Sequence, residues 1–200
     1  MTKTASVAET RWVVGRYHRE APSRAVVVVG VVMALWCAGF AAVSVWFELT
    51  NYFDTGQYAD EATALSVVNW FVVVLKLVGV GVAVLAVRAR LVAPRLVGVM
   101  LWAAFATVAV YVVGSLTQAF VMLAGIAGDA DDVDAKSVAY LLAFMLAAAG
   151  FGILAVSHAR RAALSTSVKL VGACGAPVLL GGVLVILPAI LEAVGLLSAA

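Results

Sequence analysis

Charge, histidine, cysteine and catalytic motifs are scarce in this chain, and each scarcity closes off a class of function. Only 12% of the 200 residues are charged, and the net charge is +2 without a strongly basic run. Nucleic acid is therefore not an expected partner. The two histidines, His18 and His158, fall outside the apolar stretches, which disfavours a haem held inside the membrane by two imidazoles. Cys37 and Cys174 sit at depths that differ by roughly 12 Å at 1.5 Å per residue. A disulfide needs Cα atoms within about 7 Å, so both read as free thiols acting as small apolar side chains. Metalloprotease, Walker and Gly-x-Ser-x-Gly patterns are missing. No catalytic residue, cofactor or metal site is assigned from sequence.

Long apolar runs are what the chain has instead. Hydrophobic residues make up 65% of it, and the mean hydropathy is +1.11. Five stretches, near residues 25–47, 65–87, 97–124, 138–157 and 170–194, each reach the roughly 20 residues that a membrane helix needs. The expected fold is all-α: a polytopic transmembrane helical bundle of five spans, forming a single domain over residues 25–200. Residues 1–24 form a basic N-terminal segment. The first stretch is too long for a signal-peptide apolar region and lacks a convincing cleavage site, so it reads as an uncleaved span.

Charge sets the expected orientation. Eleven of the thirteen Lys and Arg residues lie before span one, between spans two and three, or between spans four and five. Eight of the eleven carboxylates lie in the two loops on the other side: Glu48, Asp54, Asp60, Glu61, Asp129, Asp131, Asp132 and Asp134. By the positive-inside rule the N-terminus is cytoplasmic and the C-terminus outside, which suits a bacterial cytoplasmic membrane. The basic segment with Trp12 and Tyr17 reads either as lying on the anionic inner leaflet or as a free tail. The acidic loop lacks the Gly and terminal Glu of an EF-hand, so it reads as a solvated charge run.

The apolar spans carry signs of a tandem repeat. At one offset of 71 residues, Ser66-Val67 matches Ser137-Val138, Gly79 and Gly81 match Gly150 and Gly152, and Arg90 matches Arg161. Leu35-Trp36 and Phe40 match Leu101-Trp102 and Phe105 with a small shift, and Arg95-Leu-Val-Gly98 returns as Lys169-Leu-Val-Gly172. The expectation is two helical hairpins in tandem plus one extra helix, a parallel repeat about an axis along the membrane normal. Chance similarity between Val/Ala/Gly-rich spans is the competing account. Gly30, Ala34, Ala38 and Ala42 recur every fourth residue and suggest a packing stripe on span one, because close backbone approach holds helices together in lipid. Pro177 and Pro188 suggest a kinked fifth span.

Lys76 is the sharpest single feature. It lies close to the midpoint of span two, where a charge costs at least about 2.5–3.5 kcal/mol by insertion scales. Asn69 lies one heptad away on the same face. The repeat-equivalent position in span four is Ala147, so the shared scaffold does not require the charge. Candidate partners are Tyr111 near the middle of span three, Thr117 and Gln118 farther out, and Glu192 in span five. The binding or pathway candidates are thus Lys76, Asn69, Tyr111, Gln118 and Glu192. Lys76 reads in three ways: as a transport-pathway residue, as half of an ion pair with another subunit, or as a structural lysine.

Three functions compete on this reading. The first is a non-catalytic accessory, assembly or immunity-type component that packs against a membrane protein partner. The second is a small transporter or channel using the intramembrane lysine, as a single chain or a homo-oligomer. The third is a membrane enzyme on a lipophilic substrate, with Tyr111, Lys76 or Glu192 as acid or base. A polar central cavity favours the second or third. A tightly packed bundle with an apolar external groove favours the first.

Overall fold

The computed structural model describes residues 21–55, 59, 62–126 and 134–193. Among these the chain is helical, with no strand. The helices are α1 (Arg24–Leu49), α2 (Ala62–Ala86), α3 (Pro94–Leu123), α4 (Ala135–Arg161) and α5 (Thr166–Ala193), with a short 3-10 turn at Tyr52–Asp54. The first four are long and apolar enough to cross a membrane, so four of the five expected spans stand on length and composition. The basic residues before Ser23, His18, Asp60, Glu61 and the Asp129–Asp132 cluster lie outside the described residues.

Local chemistry explains where the helices begin and end. Ser23 caps α1, its hydroxyl accepting from the Val26 amide. Asn51, at φ 49°, turns the chain out of α1. Pro94 opens α3, where its missing N–H costs nothing. Asp134 caps α4 by accepting from the Ser137 amide at 2.7 Å. α3 ends in a Schellman motif: Gly125 takes φ +65°, Ile126 N–H donates to the Val121 carbonyl, and Gly125 N–H donates to Met122. α4 ends the same way with an alanine at the left-handed position. Ala163 has φ 48°, Leu164 N–H donates to Ala159 and Ala163 N–H donates to Arg160. α5 remains helical through both Pro177 and Pro188.

α1–α2 and α3–α4 are antiparallel hairpins. Gly30 faces Val87 and Glu48 faces Ser66 in the first, while Gly98 faces His158 and Tyr111 faces Phe144 in the second. The hairpins join through α1 on α4, where Gly150 leaves space for the Met33 side chain. α5 packs along α3. A Cβ at Gly172 would strike the Val99 carbonyl and the Trp102 side chain, so the first turns of both helices lie side by side and run the same way.

The core sits toward the basic end of the bundle. Met33, Cys37, Val82, Ala83, Ala86, Val97, Leu101, Ala147, Phe151, Leu154 and Ala155 form one buried cluster. Most come from the halves of α1–α4 nearest the Arg-rich loops, with Cys37 and Ala147 at the helix midpoints. The every-fourth-residue stripe on α1 does not pack as a unit. Gly30 is buried, but Ala38 and Ala42 are exposed. An α-helix turns 100° per residue, so a spacing of four drifts by about 40° at each step and about 120° over three steps. The buried residues are Gly30, Met33, Cys37, Ala41 and Ser44, spacings of three, four, four and three that hold one face.

Candidate functional site

Polar side chains inside the bundle gather in three places. The first is a hydrogen-bonded ladder between α1 and α2. Lys76 Nζ donates to Ser44 Oγ at 2.8 Å and to the Phe40 carbonyl at 3.1 Å. The same ammonium lies 5.5 Å from the Phe40 ring centroid, within cation–π range. Asn69 Nδ2 donates to the Ser44 carbonyl at 2.8 Å and to Glu48 Oε1 at 2.6 Å. Ser66 Oγ donates to Glu48 Oε2 at 2.6 Å. Ser66, Asn69 and Lys76 share one face of α2 because they are spaced by three and seven residues. Phe40, Ser44 and Glu48 share the facing stripe of α1 at intervals of four.

This arrangement gives Lys76 acceptors from its own hairpin. The Phe40 carbonyl has a second lone pair beyond its intrahelical bond, and the Ser44 hydroxyl supplies another acceptor. Tyr111 is not among the partners of Lys76. Its ring packs on Phe144 at 4.4 Å, and Phe144 in turn lies 5.9 Å from Phe40. Two aromatic rings therefore stand between the two residues. Glu48, Ser44 and Ser66 are the polar members that sequence reasoning did not assign. Glu48 was read as a loop acid, yet it lies inside α1, one turn beyond Ser44. That spacing of four is the signal that connects them.

The second place is the basic end. His158 is 1% exposed, and its Nε2 lies 2.9 Å from the Pro94 carbonyl. A carbonyl only accepts, so Nε2 carries the proton and Nδ1 keeps a lone pair. Nδ1 has no partner among the described residues, nor do Trp102 Nε1 and Arg161 Nε. Arg161 reaches across to the carbonyl of Ala86, the last residue of α2, and to that of Arg88 just beyond it. A cation there satisfies open acceptors and opposes the negative end of the helix dipole. Both stand in the last turn of α4 and also tie it to α3 and to the end of α2.

The third place is a groove of about 300 Å³ between the acidic-end halves of α3 and α4. Tyr111, Ser115 and Gln118 line it from α3, and Ser137, Tyr140 and Leu141 from α4. Two of the sequence candidates, Tyr111 and Gln118, thus meet here, while Lys76 and Asn69 meet in the ladder. The Glu192 side chain lies outside the described residues. Among the described residues, no three His, Cys, Asp or Glu side chains group as metal ligands. Cys37 and Cys174 are both free thiols, the first buried and the second exposed. No family model, curated protein or solved structure matches this chain.

Proposed function

We propose that this chain is a non-catalytic component of a membrane assembly, an accessory, assembly or immunity-type subunit that packs against a membrane protein partner. The observation that carries this reading is the engagement of Lys76 with Ser44 and Phe40 of its own hairpin. An ammonium occupied in that way holds two helices together and does not present itself to a passing ion or substrate. The small-transporter reading needs a polar path from the ladder to His158 at the basic end, and the buried cluster between them is apolar: Val97, Leu101, Ala147, Phe151 and Leu154. The lipid-facing surfaces of α1 and α2 are broad and apolar, with Leu35, Trp46, Trp70, Val74 and Leu77 exposed. Such surfaces suit bilayer lipid and a partner helix alike.

The same proposal includes a fifth crossing by α5, a cytoplasmic N-terminus and an external C-terminus in a bacterial-type cytoplasmic membrane. The parallel start of α5 beside α3 at Gly172 supports the fifth crossing. So does the length of α5, whose 28 residues extend about 42 Å. A parallel hairpin repeat is supported by the way α2 and α4 run side by side in the same direction, with Gly79 beside Phe151.

Native mass spectrometry of the protein, extracted gently from its own membrane, tests the assignment. A distinct second polypeptide at fixed stoichiometry is the expected result. A lone monomer or a homo-oligomer overturns it.

A further inference from the structure

The α3–α4 groove is the place where the two hairpins differ most. In α1–α2 the acidic-end half is closed by Glu48, Asn69, Ser66, Ser44 and Lys76 bonding across the helices. In α3–α4 the repeat-equivalents of Asn69 and Lys76 are Tyr140 and Ala147, no such ladder forms among the described residues, and the helices leave a groove. Tyr111, Ser115, Gln118 and Tyr140 line it and make no hydrogen bond to any described residue. In hydrocarbon an unpaired hydroxyl or amide is costly. Tyr111 lies twelve residues inside the end of α3, about 18 Å along the helix at 1.5 Å per residue. Interfacial water does not serve that depth as it serves Gln118.

The chemistry of the lining selects the ligand. All four unpaired groups are uncharged, and all four can donate a hydrogen bond. None is a cation that would hold a phosphate or carboxylate; near its mouth Asp134 and Lys136 carry opposite charges, and Lys136 lines the neighbouring cleft with Phe40 and Tyr140. An ionic head is held at the water interface by its desolvation cost. Only an uncharged head can reach Tyr111; the four groups can both donate and accept, and a quinone ring offers the donors two carbonyl oxygens. Tyr111 and Tyr140 add aromatic surface, while Met122 and Leu141 add an apolar one. The volume falls at the small end of ligand sites, roughly 300–1,000 Å³. We propose that the acidic-end groove between α3 and α4 binds the ring of an isoprenoid quinone, with Tyr111 and Gln118 donating to its carbonyl oxygens and the tail leaving sideways into the bilayer. This assignment concerns binding alone and goes beyond the accessory role; it stands or falls independently of whether a partner subunit exists.

The full-length protein in phosphatidylcholine nanodiscs, titrated with a decyl-chain benzoquinone and read by quenching of its tryptophan fluorescence, tests the proposal. Saturable quenching at one site per chain is expected. Tyr111→Phe and Gln118→Leu should each weaken it by roughly tenfold, the size of one lost hydrogen bond. Lys76→Met, which lies in the ladder, should leave it unchanged. Unchanged helical circular dichroism separates lost binding from lost fold. Gln118→Leu, on the exposed side of α3, carries the test if Tyr111→Phe does not fold. Quenching that never saturates, or that both groove variants leave intact, overturns the proposal. Equal competition by dioctanoylglycerol, an uncharged lipid with ester carbonyls, also overturns the quinone assignment.

Discussion

At the scale of single residues, Lys76 shows how a bilayer accommodates a charge it has no apparent reason to keep. The cost is met locally by one hydroxyl, one helix carbonyl and one aromatic ring, all from α1. Two substitutions separate the components. Ser44→Ala leaves the ammonium with one acceptor and should destabilise the protein by about 1–3 kcal/mol. Lys76→Met removes charge and need together and should be neutral or stabilising, because a well-packed apolar side chain often outperforms a buried ion. Steric-trap or denaturant unfolding in micelles would measure both. A larger loss for Lys76→Met than for Ser44→Ala would mean that the lysine does something the hairpin does not explain. A second residue-scale prediction concerns Asp134. Its carboxyl is held below the ordinary carboxylate range chiefly by the hydrogen bonds to Ser137. A depressed folded value means the cap contributes fully at neutral pH and is lost as pH falls through that value. Amide exchange in the first turn of α4 should therefore quicken in acid, while Asp134→Asn should show a flat pH response.

At the scale of elements, small residues set how closely helices approach. Gly172 meets backbone on α3, Gly30 meets Val87 and Gly150 meets Met33. Only the first of these neighbours is backbone and unable to move aside, so Gly172 is the least replaceable of the three. The helix ends offer a sharper test. α3 and α4 close with the same Schellman hydrogen bonds, yet α3 places Gly125 at the left-handed position and α4 places Ala163. A left-handed alanine costs roughly 1–2 kcal/mol. Ala163→Gly should recover about 1 kcal/mol of it and raise the thermal midpoint in detergent. A lower midpoint would show that the Ala163 methyl makes packing contacts worth more than the strain.

At the scale of the whole molecule, the described residues pack tightly toward the basic end and leave a groove between α3 and α4 toward the acidic end. The buried cluster occupies the first region, and the groove with its unpaired polar groups occupies the second. Orientation depends on how many helices cross. With α5 as a fifth crossing, a reporter fused after Ala200 that works only outside the cytoplasm should be active. One fused in the Ala162–Ser165 connection should be silent. A reporter after Ala200 that works only in the cytoplasm would leave four crossings and return both termini to one side.

Hydropathy alone determined that the chain holds helices fit to cross a membrane and where the first four of them lie, and charge grouped the connections into an expected inner and outer set. Those are one-dimensional properties: a run of apolar residues long enough for the bilayer, and a count of charges on each connection. The sequence also singled out Lys76, Asn69, Tyr111 and Gln118, because polar groups in hydrocarbon stand out by type. Tertiary structure alone decided how they group. Matching depth points Lys76 to Tyr111 on another span, whereas its partners are a serine and a carbonyl on the adjacent helix. A backbone carbonyl carries no residue-type signal, and the register of two helices about their axes cannot be read from either one. The same ambiguity hid Glu48, which lies in a helix end but looks like loop charge, and the drift of the α1 stripe off its packing face. Composition fixes what can enter the membrane, whereas the rotation of each helix about its own axis fixes which groups meet inside it.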